Sequence, residues 1–240
     1  MIETHGLTKS FSTDSSEVVA VNNVDFEVKP GEFILILGRS GSGKSTLLAM
    51  LAGLIRPTSG IVKIHGNEIG DLSEDKAAEV RAKEIGFVFQ FSGLIPTITA
   101  LENVMLPTLF YPDGPGSRSR AVELLRKVGL SERENAYPST LSSGEMKRVA
   151  IARALINNPP ILIADEPTGD LDVDTEIEIM ELFSELNREG TTIVTVTHNP
   201  DLIPYATRIY GMVRGNLVRD PESFCFRTWK AEPGIPAGKE

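Results

Sequence analysis

One junction constrains this chain more than any other: the apolar run Phe33-Ile34-Leu35-Ile36-Leu37 leads directly into Gly38-Arg39-Ser40-Gly41-Ser42-Gly43-Lys44-Ser45-Thr46. Five consecutive apolar residues read as a strand buried on both faces, the kind found in parallel sheets covered by helices. The loop that follows fits G-x-x-x-x-G-K-[ST] in the strand–loop–helix context this pattern requires. Its glycines let the backbone bend closely, so that successive N–H groups and the positive end of the next helix converge on an anion. Lys44 brings a positive charge to the β- and γ-phosphates of a nucleotide, and the Ser45 hydroxyl is a ligand for Mg²⁺. A Gly/Ser turn that happens to hold a lysine would explain the composition of the loop, not its place between a buried strand and a helix start.

The rest of the chain extends that beginning. Val21 to Val28 alternates apolar and polar residues like a half-buried strand. Ser45 to Leu54 reads as a helix, Arg56 to Gly60 as a turn and Ile61 to Gly66 as a strand. Glu74 to Glu84 is a polar helix, followed by a strand over Ile85 to Phe89. Thr99, with Glu102 three residues on, predicts a capped helix reaching Pro107. Pro112 to Arg120, rich in Pro, Gly and Ser, predicts an exposed loop. The helix after it, from Arg120, is closed by Gly129. Later elements are the strand Ile161 to Asp165, a helix around Asp174 to Glu189 and the strand Thr191 to Thr197. A hairpin turns at Arg214-Gly215. In the long helix Ile177, Met180 and Phe183 recur at helical spacing and are expected in the core. Strands alternate with helices from Phe33 onward, which predicts a mostly parallel sheet with helices on both faces. The first strands are expected to be antiparallel, and the middle, from about residue 99 to 139, mainly helical.

Ile161-Leu162-Ile163-Ala164-Asp165-Glu166-Pro167 supplies the complement to the cradle. Asp165, at the end of an apolar strand, is suited to hold Mg²⁺ through water. Glu166 is placed to orient or deprotonate the attacking water. An Asp-Glu pair after a strand could be a solvated strand end, but beside the cradle it points to hydrolysis of a nucleoside triphosphate.

Leu141-Ser142-Ser143-Gly144-Glu145, followed by Met146 to Leu155, resembles the signature motif of ATP-binding-cassette (ABC) ATPases. Other motifs of that family stand in order. Gln90 matches its glutamine loop, Gly169-Asp170-Leu171-Asp172 its D-loop and His198 its switch histidine, and Phe11 stands where the family places an aromatic residue against adenine. The resemblance runs from about residue 2 to 218. It implies an α/β fold: a P-loop NTPase core with a mostly parallel sheet, an antiparallel β subdomain and a helical subdomain. Residues 1–219 would form a single ATPase domain, with the helical subdomain at about 91–158, and 220–240 an irregular tail.

The resemblance also implies roles. ATP and Mg²⁺ are the expected cofactors. Two copies would close head to tail around two ATP molecules, so that Ser142, Gly144 and Glu145 of one copy face the γ-phosphate cradled by Gly38 to Thr46 of the other. Gln90 would sense Mg²⁺ and the γ-phosphate, His198 would contact the γ-phosphate and position water with Glu166, and Asp172 would couple the two sites. Phe11 would stack on adenine, with Val19 nearby. The sequence departs from the family pattern at four places: Ser143 for the first Gly of the signature, Glu145 for Gln, Asn199 for Asp after the histidine, and Phe11 for Tyr. His5 and His65 read as structural.

Within the family, Ile85 to Pro107 resembles the branch of lipoprotein-release, macrolide-efflux and cell-division cassettes. This implies an integral-membrane permease partner, docked in a groove near Gln90 that Phe91, Leu94 and Ile95 are candidates to line, and a place at the cytoplasmic face of the cell membrane. A regulatory or mechanotransmitting cassette with low turnover is the alternative. The net charge of −9 argues against nucleic acid as a partner, because neutralising phosphates needs clustered Lys and Arg. The longest apolar run near the first motif is far too short to span a bilayer, so the permease is expected on a separate chain. The single cysteine, Cys225, excludes an intrachain disulfide and fits a reducing compartment.

Overall fold

The computed structural model describes residues 1–13, 16–112, 114–169 and 171–219. Cys225, Trp229 and the expected tail lie outside the described residues. Two sheets share the architecture. The first is antiparallel, ordered β2-β1-β4-β5, with β1 at Ile2–Thr13, β2 at Ser16–Val28, β4 at Ser59–Ile64 and β5 at Asn67–Glu68. The second runs β10-β9-β3-β8-β7-β6, made of β3 (Phe33–Leu37), β6 (Ile85–Val88), β7 (Ile161–Asp165), β8 (Thr192–Thr197), β9 (Arg208–Val213) and β10 (Asn216–Arg219). Its strands pair in parallel except for β10, which turns back on β9. Helices α1 (Lys44–Leu51), α2 (Glu74–Glu84), α3 (Ala100–Met105), α4 (Arg118–Lys127), α5 (Ser143–Leu155) and α6 (Val173–Arg188) complete the fold.

The two-sided burial expected of Phe33 to Leu37 is what the structure has. Phe33, Leu35 and Leu37 enter a core shared with α3, α4, α5 and α6, whereas Ile34 and Ile36 enter one shared with α1 and the antiparallel sheet. Helix ends follow local chemistry. Thr99 caps α3 by accepting the Glu102 N–H, and the Glu102 carboxylate accepts the Thr99 N–H in return, which holds that carboxyl below its usual range. The predicted turn at Arg214-Gly215 is present with both residues at positive φ, 46° and 81°, as a two-residue hairpin of the mirror-image type needs.

The first strands are antiparallel, as expected, and begin with a long strand, β1, that Gly6 at φ 58° and shifts of register interrupt. Three expectations are corrected. Helix α1 stops at Leu51 rather than Leu54: Gly53 adopts φ 64° and the Leu54 N–H turns back to Ala49 O, a left-handed stop. Arg118 and Ser119 belong to α4 and not to the preceding loop, because Ser117 accepts the Arg120 N–H and starts the helix early. Ile177 is 41% exposed. The buried stripe of α6 is Ile179, Met180, Leu182, Phe183 and Leu186, and Ile177 lies about 200° around the axis from Ile179 at about 100° per residue.

Candidate active site

The order β3-β8-β7-β6 sets the site. Because these neighbours are parallel, the loops leaving their C-terminal ends emerge side by side, which is where open α/β sheets bind ligands. The loop after β3 is Gly38 to Gly43, β8 delivers His198, β7 ends in Asp165 and Glu166, and β6 leads to Gln90. The register places Leu37 opposite Thr197 and Asp165 opposite Val196.

The cradle is shaped by what glycine permits. Gly43 sits at φ 105°, and a Cβ there would lie 2.0 Å from Ala20 O, so no other residue fits without moving β2. A Cβ on Gly38 would meet Ser42 Oγ at 2.5 Å. That Oγ is buried and lacks a protein partner, an orphan inside a loop rich in N–H groups. Arg39, Ser40 and Gly41 are exposed at the rim, and Ser45 and Thr46 open α1. Lys44 is 4% exposed, and its ammonium donates to Gly38 O at 2.7 Å and Arg39 O at 3.1 Å. Its remaining proton faces Glu166 Oε1 at 3.4 Å.

Glu166 joins three strand ends. Its Oε1 pairs with Lys44, its Oε2 lies 3.1 Å from His198 Nδ1, and its N–H donates to Val196 O. The residue holds φ 42°, a left-handed conformation that costs a non-glycine residue about 1–2 kcal/mol and that aims the carboxylate back over the cradle. Next to it Asp165 Oδ1 accepts the Ser45 hydroxyl at 3.0 Å. Burial pushes the Asp165 carboxyl above its usual range, opposed by the Ser45 hydrogen bond. An oxygen pair of hydroxyl and carboxylate suits a hard cation such as Mg²⁺, whose charge would offset that burial.

Gln90 is exposed and its backbone is clamped from α5. Lys147, 3% exposed, donates to Gln90 O at 2.5 Å and Phe89 O at 3.2 Å. Arg153 donates to Gly93 O and Ser92 O, and burial lowers its pKa. Two cations of the signature helix thus fix the path of the glutamine loop. Beside it lies an open groove of about 380 Å³ whose lining includes Phe87, Phe89, Gly93 and Pro107. None of the three candidates lines this groove: Phe91 and Ile95 are exposed next to it in sequence, and Leu94 packs against the core.

The signature residues stand apart from the cradle. Ser142 caps α5 by accepting the Glu145 N–H, and Glu145 Oε2 accepts the Ser142 N–H in return. Glu145 Oε1 accepts from Arg133 at 3.0 Å. Ser143 is exposed, and Gly144 is buried where a Cβ would stand 2.8 Å from Thr175 Cγ2. Thr175 is held by Asp172, the N-cap of α6, which accepts its N–H and hydroxyl, and the N–H bond leads in keeping the Asp172 carboxyl below its usual range. The start of α5 and the D-loop therefore abut. No hydrogen bond or ion pair among the described residues joins Ser142, Gly144 or Glu145 to Lys44, Ser45, Asp165 or Glu166. Phe11 is 44% exposed on β1 with the Lys9 ammonium 5.2 Å from its ring centroid. It pairs with Val18, next to the exposed Val19 and near the Ala20 carbonyl that closes on Gly43.

Glu145 gives a pH test. The Ser142 N–H, with Arg133, holds its carboxyl below the usual range despite some burial. A folded pKa below the unfolded one adds stability above the unfolded value, and that stability is lost as pH falls through the folded one. Glu145→Gln is therefore expected to lower the melting temperature by about 1–3 °C at pH 7, a partly exposed pair being discounted for screening, and by progressively less as pH falls through the lowered folded-state pKa. Calorimetry across that range checks both the gap and its closure.

Sequence reasoning missed Lys147, Arg153 and Glu176. Lys147 carried a signal: it falls on the same stripe as the buried Gly144 and Ile151, where an unpaired lysine would be costly. Glu176 had none, since its partners Thr168 and Asn199 stand on two different loops that only the fold brings together.

Comparison with known proteins agrees with this geometry. A family model described as ABC transporter matches residues 21–169. A macrolide export ATP-binding/permease protein, MacB, of Rhodopseudomonas palustris is 42% identical over 221 residues, 91% of this chain. The chain spans about a third of that relative's length, 34%. The uncharacterized ABC transporter ATP-binding protein MJ0796 of Methanocaldococcus jannaschii is 45% identical over 226 residues, 92% of this chain and 96% of its own length. A solved dimeric, post-hydrolysis structure of the MJ0796 cassette bound to ADP and Pi superposes with a TM-score of 0.85 at 42% identity, covering 91% of this chain and 98% of that one.

Proposed function

This chain belongs to the ABC transporter family and is an ATPase of the cassette type, and from that premise we propose that it converts ATP binding into closure of a homodimer that drives a membrane permease. The observation that supports this best is the Glu166 carboxylate set between the Lys44 ammonium and the His198 imidazole, above a cradle that only glycine can form.

Residues 1–219 act as one ATPase domain, with about 91–158 as the helical subdomain. The backbone N–H groups of Gly38 to Thr46 and the Lys44 ammonium hold the phosphates, Ser42 Oγ gaining a partner there. Phe11 stacks on the adenine. Ser45, Asp165 and Gln90 would hold Mg²⁺, which would supply positive charge to the phosphate oxygens. Glu166 accepts a proton from water as the water oxygen bonds to the γ-phosphorus and the bond to the ADP oxygen breaks. His198 fixes the Glu166 carboxylate and faces the γ-phosphate, while Lys44 offsets the charge developing on it.

Ser142 and Gly144 complete the site of a second copy. The Ser142 hydroxyl accepts a bond within its own helix, which leaves its proton to donate outward, and α5 presents its positive end. Glu145 holds that cap, and Asp172, abutting Gly144 through Thr175, couples the two sites. Steady-state phosphate release from Mg-ATP by the purified chain tests the activity; none at all overturns it.

No described helix is long and apolar enough to cross a membrane. The permease docks in the groove beside Gln90 and holds the cassette at the cytoplasmic face of the cell membrane. Phe91→Asp, at a position 74% exposed and thus of small consequence for the fold, is expected to reduce the share of protein sedimenting with native membranes while leaving ATP affinity unchanged. Equal sedimentation of both proteins would count against the docking site.

A further inference from the structure

Behind the reacting groups lies a hydrogen-bond node that none of the roles above uses. Glu176, in the first turns of α6, accepts the Thr168 hydroxyl on Oε1 at 2.6 Å and the Asn199 amide on Oε2 at 2.9 Å. Thr168 stands two residues past Glu166 and is 4% exposed; Asn199 follows His198 directly. The orientation of Asn199 is fixed on its other side, because its Oδ1 accepts the Asp201 N–H at 3.0 Å and its own N–H donates to Thr197 Oγ1 at 3.0 Å. Its Nδ2 must then face Glu176. One carboxylate therefore ties the loop after β7 to the loop after β8, and both to the helix that Asp172 caps.

The residue types are matched. The ABC pattern commonly places Asp after the switch histidine, and a carboxylate at that position would stand against Glu176 at hydrogen-bonding distance, where two like charges cannot both remain ionised without cost. Asn199 removes the conflict and supplies a donor. We propose that Glu176 is a positioning residue: through Thr168 and Asn199 it holds Glu166 and His198 at their 3.1 Å contact, with Asn199 as the required partner. This rests on the ATPase reading, since it concerns the alignment of groups that reading uses.

An exchange of the two side-chain types tests the pair. Asn199→Asp keeps the acceptor for the Asp201 N–H, so folding is preserved, but sets two carboxylates face to face. It is expected to lower kcat about tenfold or more, as misplacement of reacting groups does, with the KM for ATP changed by less than about twofold. Adding Glu176→Gln restores a donor–acceptor pair of inverted polarity, the new amide donating to the new carboxylate while its oxygen still accepts from Thr168. The double variant is expected to recover kcat to within about threefold of the starting protein, together with whatever melting temperature Asn199→Asp loses to the like-charge contact. Wild-type turnover in Asn199→Asp, or a double variant as slow as the single, overturns the proposal while leaving the ATPase reading intact. No phosphate release from the unaltered chain overturns both.

Discussion

Glu166→Gln is expected to abolish turnover and to trap the protein as an ATP-bound dimer. General-base assistance is worth about 10²–10⁴-fold, and an amide of the same size keeps the shape of the site while refusing the proton. Affinity for ATP should be retained or increased, for a reason visible in the geometry. The Glu166 carboxylate shares the buried Lys44 ammonium at 3.4 Å, and neutralising it leaves the full charge of Lys44 for the phosphates. A site that binds but cannot hydrolyse stays closed, so Mg-ATP should move the variant to the elution volume of a dimer in sizing chromatography. Elution as a monomer at saturating Mg-ATP would overturn the shared-site model, because closure would then not depend on nucleotide.

Lys44→Ala is expected to lower ATP affinity at least about a hundredfold. Hydrogen bonds to charged groups contribute about 1.5–3 kcal/mol each, and about 1.4 kcal/mol is a factor of ten, so two lost phosphate contacts suffice. The change also strips the Gly38 and Arg39 carbonyls of a donor and leaves Glu166 without its cation. Titration with a fluorescent ATP analogue measures the loss. Unchanged affinity would remove Lys44 from the phosphate site.

Much of this was legible in sequence, and the legible parts share a cause. The cradle is local: glycine spacing, one lysine and one hydroxyl within a single turn dictate the backbone there, so Gly43 at φ 105° and the buried Lys44 follow from the string of residues. The cap at Thr99 is equally local, closed by a Glu three residues on. Errors occurred where a pattern was read without its surroundings. Ile177 was expected in the core because it shares helical spacing with Met180 and Phe183, yet which sector of α6 is covered depends on what packs against it.

By itself, then, the sequence determined that this chain builds a glycine-shaped loop between a buried strand and a helix, with an acidic pair at the end of another strand, because each depends on interactions spanning a few residues. Only the tertiary structure decided how these pieces meet. The order β3-β8-β7-β6 brings Lys44, His198 and Glu166 to one point although they are far apart along the chain. It also gave Lys147 the backbone of the glutamine loop to hold and gave Glu176 both of its partners. The physical reason is that a hydrogen bond acts over about 3 Å of space regardless of separation in sequence, and strand order, which sequence spacing does not encode, sets who lies within that range.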